Sequence, residues 1–119
     1  IEGSSLSADV VKQVSEIASA KKKIMVCLDS NHTHEHVLEE LKLYAPFVSV
    51  DSYCVVFDTA VEDMPADYDW GIRPWGKGNN PKTAVWEYLK AHDNFEINKS
   101  IDNKLLISVA PDGFLKRVK

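Results

Sequence analysis

The sequence is poor in the features that most quickly limit what a chain can be. It has two cysteines in 119 residues, too few for a disulfide framework. Both Cys27 and Cys54 fall in apolar runs that read as buried strands, so they are expected to be reduced core thiols in a cytoplasmic protein. No apolar run approaches the length of a membrane span, so no membrane partner is expected. Positive charge is not in excess: the formal net charge is −4, and Lys21-Lys22-Lys23 is a short cluster just before a strand. A nucleic-acid partner is therefore not expected. Gly76-Lys77-Gly78 lacks the preceding strand and the Lys-Ser/Thr pair of a phosphate-binding loop. There is no Gly-x-Ser-x-Gly elbow, no internal repeat and no low-complexity tract. Apolar residues make up 45% and charged residues 27%, the balance of an ordinary globular domain of modest size.

What is present is organised around residues 23–37. Ile24 to Leu28 is an apolar run too short for a helix, and it reads as a fully buried strand extending from Lys23. Asp29 ends it. A polar loop follows with histidines at 32, 34 and 36, and helical periodicity takes over at Val37. Strand, polar loop and helix is the arrangement in which open α/β sheets hold ligands, beyond the carboxyl ends of the strands. Upstream, Ser7 or Asp9 caps a helix running to about Ala20, with Val10, Val14, Ile17 and Ala18 on its apolar face. Thr33 is the N-cap candidate of the next helix, which Pro46 stops near Tyr44.

The second clear strand is Tyr53 to Phe57, ending at Asp58-Thr59. Helix, strand, helix, strand predicts a right-handed crossover in a doubly wound sheet. Residues 59–80 form a long loop with Trp70, Trp75, two prolines and three glycines, and a loop of that length in a small domain is usually functional. Pro81 opens a helix to about His92. Phe95-Glu96-Ile97 and Leu105 to Ala110 are expected to be an antiparallel pair of strands, with Phe114 to Arg117 continuing the second beyond a Pro-Asp-Gly turn.

If the two apolar strands are parallel neighbours, Asp29 and Asp58 reach the same edge of the sheet. Two readings then stand side by side: a hard-cation site, typically for Mg²⁺, or two aspartates that each cap the element after them. The loop histidines lack the further ligands of a zinc site. His32 next to a sheet-edge carboxylate suits a general base acting on an acceptor hydroxyl, although a local hydrogen bond is the commoner role of such a residue. Gly3-Ser4-Ser5 would let backbone N–H groups approach a ligand, or would simply be a turn.

Three stretches, Leu28-Asp29-Ser30-Asn31-His32-Thr33-His34-Glu35-His36-Val37, Tyr53 to Thr59 and Val109 to Arg117, resemble the cephalosporin hydroxylase family, which also includes rhamnosyl O-methyltransferases. Ile1 to Ser5 and the Gly78-Asn79-Asn80-Pro81 helix start are similar too, so the resemblance runs over nearly the whole chain. It implies a Rossmann-like methyltransferase sheet, α/β with parallel strands, helices and a terminal antiparallel pair. It also implies S-adenosyl-L-methionine as cofactor, with Gly3, Ser4, Ser5, Asp29 and Ser30 beside it, and a divalent metal such as Mg²⁺ on Asp29 and Asp58. The family's acidic pair after the second of these strands falls on Phe57 and Asp58, so one acidic ligand is a phenylalanine here. The implied acceptor is a small-molecule or sugar hydroxyl under the loop from Trp70 to Asn80; His32, by its place in the loop, is the candidate catalytic base for it.

The family's glycine-rich cofactor loop would lie upstream of Ile1. Residues 1–119 are thus expected to form a single domain that is the C-terminal part of a methyltransferase, with one sheet edge left for another copy or for more of the same chain. A homo-oligomer is expected on that ground. Two rivals remain: a hydroxylase of the same family, and a non-catalytic interaction module.

Overall fold

A computed structural model describes all residues, Ile1–Lys119. It has a four-stranded mixed sheet and four helices. The first helix, α1, spans Ala8–Ser19, and the Ser7 hydroxyl accepts from the Val10 N–H at its start, the cap the sequence proposes. β1 is Val26–Leu28 and α2 is His34–Tyr44, with Thr33 at its N-cap position. A 3₁₀ turn at Ala45–Phe47 ends α2 at Pro46. β2 is Tyr53–Val56, a 3₁₀ turn covers Thr59–Asp63, and α3 is Pro81–Ala91. β3 is Phe95–Ile97, α4 is Lys99–Leu105 and β4 is Phe114–Arg117.

The sheet order is β1-β2-β4-β3. β1 and β2 are parallel, with Leu28 opposite Val56, and β4 runs antiparallel to both β2 and β3. The core lies between the sheet and the α2–α3 pair. Leu41, Val56, Val85 and Leu115 are fully enclosed there, with Tyr88 and Phe95 closing one end. The parallel register has a direct consequence. The Phe57 N–H donates to the Leu28 carbonyl at 3.0 Å, so the residues just beyond each strand, Asp29 and Asp58, leave the sheet side by side.

Three expectations need correction. Leu105 to Ala110 is not a strand. The Asn98 side chain caps α4 by accepting from the Ser100 N–H, and the helix runs to Leu105. Leu106 is then turned into a left-handed backbone with φ 63°. The place beside β3 is taken by Phe114–Arg117, because the turn at Pro111-Asp112-Gly113 brings the Gly113 carbonyl to the Val56 N–H at 2.8 Å. β4 then satisfies the backbones of β2 and β3 on both sides.

The second correction concerns β1. It is shorter than expected and only Leu28 is buried in it, since it stands at a sheet edge and pairs with β2 alone. Cys27, expected in the core, is exposed, whereas Cys54 on β2 is buried. Third, Ile17 on α1 faces solvent, and that helix packs through Val10, Val11 and Val14.

The two thiols differ accordingly. Burial pushes Cys54 from an ordinary 9.0 up to about 12, with smaller contributions from Cys27 and Glu40. A thiol reagent at pH 8 is expected to modify one cysteine rapidly in the native protein and both after denaturation. Two fast native thiols would show that β2 opens readily. The raised thiol value also fixes a sign. From about 9 to about 12 the folded chain keeps a proton the unfolded chain has lost, so this group removes stability as pH rises through that window.

Candidate functional site

Asp29, His32 and Asp58 converge. Each offers a ligand atom, and these atoms all lie within 4.8 Å of one another. His32 Nε2 is 3.3 Å from Asp58 Oδ2, and the imidazole meets the Trp75 ring edge-on at 4.7 Å between centroids. The His32 Nδ1 atom is buried without a hydrogen-bond partner. The loop gets its shape from Asn31, whose Oδ1 accepts from both the N–H and the hydroxyl of Thr33 at 2.9 Å.

Neither aspartate side chain makes a cap bond, although Asp58 stands at the N-cap position of the 3₁₀ turn. Thr33 holds the N-cap position of α2, and the Asp58 side chain makes no cap bond to the turn it precedes. Asp58 itself sits at φ 53°, in the left-handed region that Asn and Asp tolerate better than other side chains. No lysine or arginine lies within salt-bridge distance of Asp29 or Asp58, and the imidazole of His32 is the one basic side chain that reaches Asp58. Two carboxylates and an imidazole in this proximity fit a single divalent ion. Phe57, the residue before Asp58, is half-buried.

Two cavities border this cluster, one at Asp29 and one at His32 and Asp58. One, of about 460 Å³, is lined by Gly3, Ser5, Val10, Val26, Leu28, Asp29, Ser30 and Glu40 among others. Gly3 has φ +136°, and a Cβ on it would come within 2.9 Å of Val10, so a glycine is required where the chain borders the cavity. Of the residues expected beside a cofactor, Gly3, Ser5, Asp29 and Ser30 come together here. Ser4 stands apart, with its hydroxyl accepting from the Leu6 N–H.

The other cavity, of about 490 Å³, is lined by His32, Asp58, Ala60, Val61, Met64, Trp70, Arg73 and Trp75. Its wall is clasped by Glu62, whose Oε2 accepts from the Gly78 N–H at 2.7 Å and from the Asn80 amide at 2.5 Å. Asn80 is fully buried and its Oδ1 accepts from the Lys82 and Thr83 N–H groups. The long loop is thereby tied both to the turn after Asp58 and to the start of α3.

His34 and His92 have structural work. His34 joins α2 to α3 through Thr83 Oγ1 at 2.7 Å and Glu87 Oε2 at 3.1 Å. His92 stacks on Tyr88 at 3.9 Å and pairs with its carbonyl. Two site residues escape a reading of the sequence. Arg73 lies over the Trp75 ring at 5.8 Å, in a loop without periodicity. Glu40 does carry a signal, an acid amid the buried positions Val37, Leu38, Leu41 and Tyr44 of α2.

The fold and site define an α/β protein with a two-carboxylate, one-imidazole cluster at the edge of a mixed sheet. Residues 1–118 match the family described as rhamnosyl O-methyltransferase/CmcI, and the chain belongs to that family. It is 32% identical over 119 residues to the rhamnosyl O-methyltransferases of Mycobacterium tuberculosis H37Rv and of Mycobacterium bovis, covering 98% of this chain and 46% of those proteins. The Mycobacterium leprae protein of the same name is 27% identical, with 49% of its length covered. The chain thus spans about half the length of these relatives. No solved structure matches it. No helix is long and apolar enough to cross a membrane.

Proposed function

We propose that this chain forms the C-terminal part of an S-adenosylmethionine-dependent O-methyltransferase with a Rossmann-like sheet, acting on a hydroxyl of a small molecule or sugar. The observation that carries the reading is the position of the Asp29–His32–Asp58 cluster between two cavities. Asp29 and Ser30 border the cavity that suits the cofactor, and His32 and Asp58 border the one that suits the acceptor. The terminal antiparallel pair, β3 with β4, agrees with the proposed sheet.

When bound, S-adenosylmethionine supplies an electrophilic methyl group, and a divalent ion such as Mg²⁺ makes an acceptor hydroxyl more acidic. The rest is the work of the chain. Asp29 and Asp58 hold the ion. Trp70, Trp75 and Met64 offer apolar faces that orient an acceptor and keep water away from it. His32 takes the acceptor proton, and the Asp58 carboxylate 3.3 Å away favours the charged imidazole that results. The donor set also favours this reading over a hydroxylase: one imidazole with two carboxylates inverts the two-histidine, one-carboxylate pattern of redox iron. The same polar, divalent chemistry needs neither a nucleic acid nor a membrane as partner. The unpaired edge of β1 suits a second copy or a further part of the protein.

A second role for His32 is favoured by its Nε2 lying inside the ligand group. With Phe57 in place of an acid, the imidazole serves as the third protein donor.

Calorimetric titration of S-adenosylmethionine into the full-length protein, with and without Mg²⁺, tests the main reading. Saturable binding that tightens with Mg²⁺ is expected. No binding under either condition would leave the interaction module instead. A Mn²⁺ titration of the His32→Ala variant separates the two roles of His32. A base leaves metal affinity unchanged while turnover drops. A ligand costs more than about 10-fold in affinity, the low end of the effect of residues that merely orient ligands.

A further inference from the structure

The cavity beside Ser30 contains a buried acid that methyl transfer does not use. Glu40, on the inner face of α2, is 2% exposed and borders the cavity. Its Oε1 accepts the Ser30 hydroxyl proton at 2.6 Å. Its Oε2 is buried and has no partner. His36 Nε2 lies 3.5 Å from Glu40 Oε1 and 3.2 Å from the hydroxyls of both Ser30 and Ser5. The Tyr44 hydroxyl, which borders the same cavity, donates to the Ser5 carbonyl at 2.5 Å.

A serine hydroxyl has one proton to give. Because Glu40 takes it, Ser30 can meet a ligand only as an acceptor. A buried carboxylate oxygen without a donor is also costly to leave in that state. The opposite side of the cavity is apolar, with Val10, Val26 and Leu28. It suits a flat ring that carries a hydrogen-bond donor on its rim.

We propose that Glu40 is a specificity-determining residue of this cavity: with Ser30 it forms an acceptor-only wall that selects a cofactor base bearing an exocyclic amino group, as in an aminopurine. The inference rests on the cofactor reading above and assigns a residue and a polarity to it.

The test is a binding measurement on the full-length protein, with S-adenosylhomocysteine and its 6-deamino analogue, in which hydrogen replaces the amino group of the base. The wild-type protein is expected to bind the amino form about 10- to 100-fold more tightly, the range set by leaving a buried acceptor unpaired. Glu40→Gln supplies an amide donor at the same place, and Ser30→Ala removes the acceptor at an exposed position. Each is expected to narrow the ratio to within about threefold. The wild-type comparison stands even where Glu40→Gln fails to fold. Equal wild-type affinity for the two forms, or an undiminished ratio in a folded Glu40→Gln or Ser30→Ala variant, overturns the inference and leaves the cofactor reading standing. Failure of the wild-type protein to bind either compound overturns both.

Discussion

Gly113→Ala is expected to destabilise the protein by about 3 kcal/mol or more, at or above the upper end for overpacking a filled site. A Cβ at this buried position would lie 2.1 Å from the Val56 carbonyl oxygen and 3.1 Å from that of Ala110. Both obstacles are backbone, so no rotamer change relieves them. The Gly113 carbonyl accepts from Val56, and the Gly113 N–H donates to Ala110 at 2.9 Å, so a backbone shift would break the bonds that dock β4 on β2. Against a total stability of roughly 5–15 kcal/mol, that is a large fraction. A melt followed by circular dichroism is expected to shift down by more than about 6 °C. A melting temperature within about 2 °C of wild type would mean the turn moves freely and does not hold the sheet.

Asp58→Asn is expected to leave the melt unchanged and to lower kcat/KM by about 100-fold or more, the low end for losing an acid–base partnership. Asparagine matches the shape of aspartate and accepts the left-handed backbone at this position, and the Asp58 side chain makes no cap bond that could be lost. What disappears is charge, both from the proposed ion site and from the partner of His32. The Asp29→Asn variant is expected to behave alike, and combining the two to cost far less than the product of the separate losses, because groups acting as a unit are not additive. A methyl-transfer assay with the full-length protein checks this. Turnover near wild type with an intact Mg²⁺ requirement would remove Asp58 from the site.

The site was more legible in the sequence than the sheet that carries it. Two apolar runs, each followed by an aspartate, are enough to bring Asp29 and Asp58 together once the strands are parallel, and Asn31, His32 and Thr33 mark the loop between. The order of the remaining strands is not written in apolar pattern. β4 ends in Lys116 and Arg117, residues that seldom signal an inner strand. Arg117 is accommodated because its guanidinium donates to the carbonyls of Pro46 and Val48, and Lys116 because it reaches Asp51 at 3.0 Å. Conversely, Leu105, Leu106, Ile107 and Val109 have the composition of a strand and are all exposed. Composition reports what a segment would bury, and the Gly113 turn decides which segment finds a place. Glu40 was missed for a related reason: an acid on an apolar helix face is informative only when the cavity beside it is known.

The Glu62 clasp has a consequence for how this fold can change. Its carboxylate fixes the main chain at Gly78 and the buried Asn80, while Trp70, Arg73 and Trp75 project from the segment so held. Backbone order and side-chain identity are thereby decoupled. A substitution at any of those three positions redraws the cavity wall without disturbing the hydrogen bonds that hold the loop in place. The scaffold is stiff where it keeps Asp58 in register and permissive along the cavity wall, where the proposed acceptor would be met. Under the proposed function, new selectivities would arise one residue at a time, each tried on a frame that already stands.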